Sequence, residues 1–364
     1  MIRSMFYLFI IILSSINSIN HVFAKTTFKG GIITQSNSLP TKSPSVRKDL
    51  FYDLDDFDDS HLKDVVTKQE AVRLERRIGF GAPINRVRLH IGKTRLQAIN
   101  DIVSDFNKYN DNIKWPQWTN DAIPTSFMQN AIEAHRINCE DQSFLLSLKT
   151  TWLEKLVSSK TPQYERLAVF WLNHFSVNFD MYKQKHSFFT HLKIIRDNTN
   201  KNFLSFLMNI LKDPGMIVYL NNQKSIARNP NENLAREFFE LFSLGEGNYT
   251  ENDIKNFARH ISGNSINHIT EQYKLYRYKQ STETYTAFGK KYKNDEDFLK
   301  VLTNHPSFGE FIALKFYKEY VDLKKPNDQD LSFLVSYFRK HNFEISEMLR
   351  GVLMLKSFWN NKLS

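Results

Sequence analysis

Residues 227–263 read ARNPNENLAREFFELFSLGEGNYTENDIKNFARHISG, and this stretch predicts a helix, a tight corner and a second helix. Asn229 is a suitable N-cap, and Pro230 suits the first helical position because it has no backbone N–H to leave unsatisfied. Gly245 suits the left-handed residue that follows a helix end. We therefore expect the first helix over Pro230–Leu244.

The second helix of this stretch carries its own boundary signals. Thr250 and Asp253 form a capping-box pattern at its start, and Gly263 stops it, which predicts a helix over Glu251–Ser262. Many of the polar residues in the stretch are thus explained as helix caps before any chemistry is assigned to them. The polar residues outside the caps need another explanation.

A helical wheel at about 100° per residue separates an apolar face from a charged face in the first helix. Glu232, Arg236 and Glu240 lie opposite the apolar face, four residues apart, and form an ion-pair ladder. Asn233 and Glu237 form a second column at the border of the apolar face. Glu237 is therefore the carboxylate that we expect to be most buried. The apolar face itself consists of Leu234, Ala235, Phe238, Leu241 and Phe242.

The second helix places Asp253 and His260 on one edge of its apolar face, two turns apart. Arg259 lies beside Lys255, and because like charges at this spacing repel, we expect an anionic neighbour near Arg259. A third helix is predicted within RLAVFWLNHFSVNF, residues 166–179, where apolar residues cover most of the circumference. This pattern indicates a central, buried helix.

His174 and Asn178 lie four residues apart on the edge of that third helix. A buried histidine is more often a hydrogen-bonded core residue than a catalyst, so a structural and a functional interpretation both stay open. The catalytic candidates are His174 and Glu237. The ligand-binding candidates are Asn173, Asn178, Asn233, Arg236, Asp253 and Arg259.

A divalent metal ion is the cofactor that histidine and carboxylate side chains can bind together. The trio that would hold it is His174, Glu237 and His260. The sequence contains no His-Glu-x-x-His, no Gly-x-Ser-x-Gly, no phosphate-binding loop and no dinucleotide-binding fingerprint. No motif therefore indicates a familiar enzyme class.

The composition favours helices. Gly and Pro contribute only 12 and 10 of the 364 residues, whereas Phe contributes 30, which suits long helices with bulky packing. Only residues 268–293 alternate aromatic and polar side chains as a strand does. We predict an all-α, multi-helix single domain with one short irregular or β-like insertion near 268–293. The single cysteine, Cys139, excludes an intramolecular disulfide.

The first residues predict export. A basic start and a short apolar run are followed by Val-Phe-Ala, which predicts a signal peptide over 1–24, cleaved after Ala24. Residues 25–63 are predicted to be a flexible leader that includes the acidic run DLDDFDDS, and 64–364 to be the helical domain. The expected location is the periplasm or the extracellular space. No segment is predicted to form a transmembrane anchor.

The net charge of +10 is not taken as a sign of nucleic-acid binding. The lysines are scattered among acidic residues rather than clustered, and an exported protein seldom meets nucleic acid. We therefore expect no nucleic-acid partner. Binding of an anionic glycan or lipid headgroup by the basic surface stays open as a weaker alternative.

Several motifs in fixed order give the chain a family resemblance. Together with the opening stretch, they resemble the bacterial family of exported proteins known as domain of unknown function eighteen hundred, from about Asp64 to the C-terminus. The motifs are RLERRIGFGAP (73–83), RLAVFWLNHF (166–175), KDPGMIVYLNNQ (212–223), NHPSFGEFIALKFYKEYV (304–321) and FRKHNFEISEMLRGVLMLKSFW (338–359).

The resemblance implies a helical, exported protein with no established activity. It also implies a partner, since genes of the family often adjoin those of an exported sulfatase-like family. Two departures stand out: Leu172 replaces a common second histidine, and Gln280-Ser281 replaces a His-Asp pair. The positions that match the family pattern are Arg76, Arg77, Gly79, Phe80, Gly81, Trp171, Asn173, His174, Phe175, Asn231, Glu232, Asn233, Arg236, Glu237, Glu240, Leu241, Gly245, Gly247, Tyr249, Thr250, Asp253, Arg259 and Gly263.

Besides that weaker alternative of anion binding, two functions are compatible with these observations. The first is a non-enzymatic exported protein that acts through a protein partner or in an envelope assembly, which the missing motifs favour. The alternative is a hydrolase, metal-dependent if the trio binds metal, in which His174 and Glu237 act as ligand or base. In that hydrolase Arg236 or Arg259 would hold an anionic group.

Overall fold

The computed structural model describes residues 51–110, 112–121, 131–178, 185–267 and 269–360. The predicted signal peptide and the leader up to residue 50 lie outside these residues. The first eight α-helices are α1 (Lys68–Ile78), α2 (Ile84–Arg88), α3 (Arg95–Lys108), α4 (Ala131–Ser158), α5 (Pro162–His174), α6 (Lys185–Asn198), α7 (Phe203–Leu211) and α8 (Pro214–Tyr219).

The second half of the chain continues with helices on both sides of a small β insertion. These helices are α9 (Asn233–Glu237), α10 (Glu251–His260), α11 (Asp295–Thr303), α12 (Ser307–Tyr320), α13 (Asp328–Lys340), α14 (Ile345–Met354) and α15 (Lys356–Asn360). A π-helix, Phe238–Ser243, directly continues α9. Short 3₁₀ helices occur at Leu54–Asp56, Ser60–Lys63, Gln117–Asn120, Asn222–Lys224 and Arg277–Lys279. The all-α prediction is confirmed.

The predicted β-like insertion consists of two separate antiparallel pairs. Strand β1 (Asn264–Ile266) pairs with β2 (Tyr273–Leu275). Strand β3 (Tyr285–Ala287) pairs with β4 (Lys290–Tyr292). The insertion begins at β1, four residues before the predicted start, because Gly263 turns the chain directly from the end of α10 into a strand.

The core is centred on Trp171 of α5, whose side chain is fully buried. Its ring lies 5.5 Å from that of Phe203 and 5.4 Å from that of Phe206, both on α7, and 5.7 Å from that of Phe316 on α12, measured between centroids. Aromatic pairs at such distances stabilise a core beyond their buried area. The prediction that α5 is central and buried is confirmed.

A buried histidine–aspartate pair joins α6 to α8. His191 Nδ1 and Asp213 Oδ2 are hydrogen bonded, and both side chains are fully buried. The other carboxylate oxygen of Asp213 accepts from the backbone N–H of Gly215 at 2.9 Å and so caps α8. Asp213 therefore has a structural role in positioning two helices.

Residues 51–63 are predicted to belong to the leader, but the structure packs them against α13. The backbone N–H of Tyr52 donates to Ser336 Oγ at 2.9 Å. The ring of Phe57 stacks on that of Phe333 at 4.1 Å. This segment thus belongs to the compact helical unit. The sequence did not indicate it because its few apolar residues have no helical periodicity.

No helix in the described ranges is both long enough and apolar enough to cross a membrane.

Candidate functional site

The first helix of the opening stretch starts three residues later than predicted. It begins at Asn233, not at Pro230. The backbone N–H of Asn231 donates to Ser225 Oγ at 3.0 Å, and the N–H of Asn233 donates to Asn231 Oδ1 at 3.0 Å. These side-chain acceptors hold the preceding residues in a turn, which competes with helix formation. The prediction of Asn229 as the N-cap is therefore wrong.

The helix then widens into the π-helix Phe238–Ser243. The N–H of Leu244 donates to the carbonyl of Phe239, five residues earlier, at 2.9 Å. Because a π-helix turns less per residue than an α-helix, the wheel prediction fails here: Phe239 is fully buried, whereas Leu241 is 39% exposed. π-Helices are rare and frequently mark functional sites. The side chains around this π-helix therefore form the candidate site.

Glu237 precedes the π-helix and is the most perturbed carboxyl of the site. Its side chain is half-buried, and its Oε2 is buried without a hydrogen-bond partner in the described structure. Burial, reinforced by the charge of Glu240 and opposed by that of Arg236, raises the pKa of Glu237 to about 7. A carboxyl with this pKa exchanges its proton near neutral pH, as general acids and bases do.

Two tyrosines flank this acidic group. Burial raises the pKa of Tyr219, and the charge of Glu237 adds to the effect, which places the two side chains near each other. Tyr249 Oη donates to Glu240 Oε2 at 2.6 Å. Burial, followed by this hydrogen bond, raises the pKa of Tyr249. Glu240 is thus held by a neutral phenol, while Glu237 is not.

Arg236 does not complete the predicted exposed ladder. Its Nη1 and Nη2 donate to the two carboxylate oxygens of Glu251 on α10, at 2.7 and 2.8 Å. Nη2 also donates, more weakly, to Glu232 Oε2 at 3.4 Å. The hydrogen bond to Glu251 is the main reason that the pKa of Arg236 is raised. A bidentate arginine of this kind links α9 to α10 and is engaged with protein carboxylates.

His174 lies at the C-terminal end of α5, against the other end of the π-helix. Its Nε2–H donates to the carbonyl of Phe242 at 3.2 Å, and its Nδ1 accepts from Lys315 Nζ at 2.8 Å. Burial, followed by the charge of Lys315, holds the pKa of His174 well below its usual value. The imidazole is therefore neutral at physiological pH.

Lys315 of α12 belongs to the same end of the π-helix. It also donates to the carbonyl of Leu241 at 3.3 Å. Burial lowers its pKa to about 8. The last carbonyls of a helix lack intrahelical partners and attract positive charge. His174 and Lys315 thus stabilise the end of the π-helix, which supports the structural interpretation of His174.

Sequence reasoning missed Lys315, although a signal was present. It lies in the otherwise apolar run FIALKFY of α12, and a lysine is seldom buried in such a run unless it has a partner. It also missed Tyr219 and the pairing of Arg236 with Glu251, for which no local pattern exists.

Asp253 contacts the β insertion, and His260 contacts α11, the helix that follows the insertion. Asp253 caps α10 together with Thr250, as predicted, and its Oδ1 also accepts from the N–H of Phe288 in the β3–β4 turn at 2.9 Å. His260 Nε2 lies 3.0 Å from Asp295 Oδ1 at the start of α11. Both oxygens of Asp253 are therefore engaged within the protein.

The remaining ligand-binding candidates lie at the surface or near it. Asn173, Asn233 and Arg259 are exposed, and Asn178 is half-buried. Within the part of the chain that the structure describes, the side chain of Arg259 forms no hydrogen bond or ion pair, so the anionic neighbour expected for it is not found there.

The structure does not bring His174, Glu237 and His260 together. The imidazoles bind Lys315 and Asp295 respectively, and Glu237 lies near Tyr219 and Glu240. Across the described ranges, no group of three or more His, Cys, Asp or Glu side chains is placed to hold a metal ion.

Comparison with known proteins agrees with the family resemblance of the sequence. The family model described as "Protein of unknown function (DUF1800)" matches residues 73–364, a range that includes every candidate residue. No curated protein and no solved structure matches the chain. The chain therefore belongs to the DUF1800 family of proteins of unknown function.

Proposed function

We propose that this protein is an exported hydrolase in which Glu237 acts as the general base. One observation carries the proposal: the Glu237 carboxyl is half-buried, has an oxygen with no hydrogen-bond partner among the described residues, and has a pKa of about 7 beside a π-helix. Perturbed carboxyls of this kind concentrate at functional sites. The proposal needs no metal, since the three metal candidates lie in separate surroundings.

In the proposed reaction, the ionised Glu237 accepts a proton from a water molecule as the water oxygen bonds to the electrophilic centre of the substrate. The protonated Glu237 then returns this proton to the leaving group as the old bond breaks. A base with a pKa near the working pH is efficient both in accepting the proton and in returning it. The charge of Glu240, which accepts a hydrogen bond from Tyr249, adds to burial in raising the pKa of Glu237.

The test compares the wild type with Glu237→Gln on nitrophenyl acetate, phosphate, sulfate and β-glucoside. We expect hydrolysis of one class, with kcat reduced at least about 100-fold in the variant. The wild-type rate should rise with pH through about 7. Glu246→Gln, which removes an exposed carboxylate nearby, is the control. Equal rates in wild type and Glu237→Gln, or no hydrolysis of any class, would reject the proposal.

A second candidate function is binding to another exported protein, for which the family resemblance suggests a sulfatase-like partner. Apolar side chains are exposed on two adjacent segments. Backbone hydrogen bonds from Val66 to Lys93 and from Arg95 to Asp64, both 2.9 Å, hold these segments side by side. Exposed apolar patches often mark protein contacts. The exposed residues are Val65, Ile84, Leu89, Ile91 and Leu96.

Co-expression with a sulfatase-like neighbour, followed by size-exclusion chromatography, tests this second function. A Leu89→Lys/Ile91→Lys double variant should lose the complex. Leu323→Lys, at an apolar residue that is 81% exposed elsewhere, should keep it. A complex that survives the double variant would rule out this surface.

Export itself is tested by recovering the chain from outside the cytoplasm and sequencing its N-terminus. Cleavage after Ala24 predicts Lys25 as the first residue. A chain that retains Met1 would contradict the signal peptide.

A further inference from the structure

A cavity of about 500 Å³ lies away from the π-helix. Its wall consists of the last turns of α4, the residues just before α5, and the segment after α3 that begins at Tyr109. None of the candidate residues above lines it. It opens at the N-terminal end of α5, whereas His174 ends this helix of 13 residues, about 20 Å away along its axis. The cavity is thus a separate site.

Positive charge predominates in the lining of the cavity. The described residues of its lining include three lysines, Lys114, Lys155 and Lys160, and one carboxylate, that of Glu154. Lys114 and Lys160 are exposed, and within the described ranges neither forms an ion pair. Their charges are therefore available to a ligand, and an anionic group in the cavity would be attracted by all three lysines.

One wall of the cavity is rigid. The ring of Tyr109 stacks on that of Tyr164 at 3.8 Å. Its hydroxyl donates to Glu165 Oε1 at 2.9 Å and accepts from Arg196 Nη2 at 3.1 Å. Glu165 and Arg196 form a fully buried ion pair at 2.8 Å. Tyr109 is thus fixed before any ligand arrives, which lowers the entropic cost of binding.

One of the lysines is also fixed. Lys155 Nζ donates to Asn112 Oδ1 at 2.5 Å and lies 5.5 Å from the centroid of the Tyr109 ring. A cation held by an amide and an aromatic ring keeps its position without losing its charge. This arrangement places a positive charge beside an apolar ring surface.

We propose that this cavity binds an acidic saccharide, with its carboxylate at the lysines. The hydroxyls of Thr151, Ser158 and Thr161 are suited to hydrogen bonds with sugar hydroxyls. The volume falls within the usual range for small-ligand sites. None of the described residues that line the cavity is an arginine, so the described lining lacks the forked donors that favour phosphate.

Calorimetric titration of the folded protein tests the proposal with three probes: digalacturonic acid, neutral galactobiose and inorganic phosphate. We expect digalacturonic acid to bind and the other two to bind at least about tenfold more weakly. Equal binding of galactobiose would refute the role of the lysines. Equal binding of phosphate would refute the saccharide. No binding of digalacturonic acid would overturn the proposal altogether.

Variants locate the binding. Lys114→Ala/Lys160→Ala should weaken digalacturonic acid binding about tenfold, since each exposed ion pair contributes up to about fivefold. Lys224→Ala/Lys318→Ala removes the same charge from exposed lysines outside the cavity and should leave the affinity unchanged. Equal loss of affinity in both double variants would show a nonspecific charge effect and overturn the site. Because all four lysines are exposed or at the rim, folding is retained, which a circular dichroism melt checks.

Discussion

Replacing Glu237 with Gln tests the most unusual feature of the site, a carboxyl that resists ionisation. Its pKa is raised from 4.5 to about 7, chiefly by burial. A raised carboxyl pKa means that the folded chain binds this proton more tightly than the unfolded chain does. The associated stability is present below pH 4.5 and is lost as the pH rises through 7.

The size of the effect follows from the shift. Each pH unit in this window changes the free energy of unfolding by about 1.4 kcal/mol. After allowance for the partial exposure of Glu237, the ionisation of this carboxyl should lower the free energy of unfolding of the wild type by about 2 kcal/mol between pH 5 and pH 8. Glu237→Gln has no charge to bury. The free energy of unfolding of the variant, relative to that of the wild type, should therefore rise by about 2 kcal/mol over the same interval.

Urea unfolding of both proteins at pH 5, 6, 7 and 8 measures this difference, in which the titration of all other groups cancels. Glu246→Gln, at an exposed carboxylate of the same region, should give a flat difference across the series. If the Glu237→Gln difference is also flat, Glu237 is not desolvated, and the argument for its role as a base fails as well.

Three further changes test other parts of the structure. In a thermal melt, Gly263→Ala should lower the free energy of unfolding by about 2 kcal/mol or more, because φ is +89° there and the new Cβ would lie 2.8 Å from a backbone carbonyl. Gly247→Ala, where φ is +80° and the space around the new Cβ is open, should lower it by about 1 kcal/mol. Asp213→Ala should lower the free energy of unfolding by about 2–4 kcal/mol in urea unfolding, because it leaves a buried imidazole nitrogen without its partner and removes a helix cap. Lys315→Met should raise the pKa of His174 in an NMR titration, though not to its usual value, because burial remains.

Each of these changes has an outcome that contradicts it. Equal costs for the two glycine variants would show that the chain around Gly263 relaxes freely. A loss below about 1 kcal/mol for Asp213→Ala would mean that the buried pair is no stronger than an exposed one. An unchanged His174 pKa in Lys315→Met would show that the lysine charge does not reach the imidazole.

Local signals in the sequence were sufficient for the helix boundaries that depend on a few neighbouring atoms. The capping box at Thr250 forms as predicted. Gly245 and Gly263 adopt positive φ. These features are predictable because a cap or a left-handed turn is decided within about four residues, and residue type alone determines whether it is available. The central position of α5 was likewise predicted, because apolar residues cover most of its circumference.

The candidate site was predictable only in part. Glu237 stood out because it lies at the border of an apolar face, and its perturbed pKa agrees with that position. His174 was singled out for the same reason, but its partners are a lysine of α12 and a carbonyl of the π-helix. Such pairings join residues more than 60 positions apart, and no local pattern encodes them.

What the sequence by itself determined is therefore the helical class, the cap at Thr250 and the two glycine turns, the family and the short set of polar residues at the edges of apolar faces. Tertiary structure decided how those edges are used. The π-helix turns Leu241 outward and Phe239 inward, so the register of the segment follows the packing rather than the α-helical period. Arg236 keeps a weak ion pair with Glu232 of the predicted ladder, but it binds Glu251 rather than Glu240 because α10 packs beside it and offers both carboxylate oxygens at once. A burial pattern specifies which side of a helix is apolar, but the neighbour that meets its edge is set only when the helices pack.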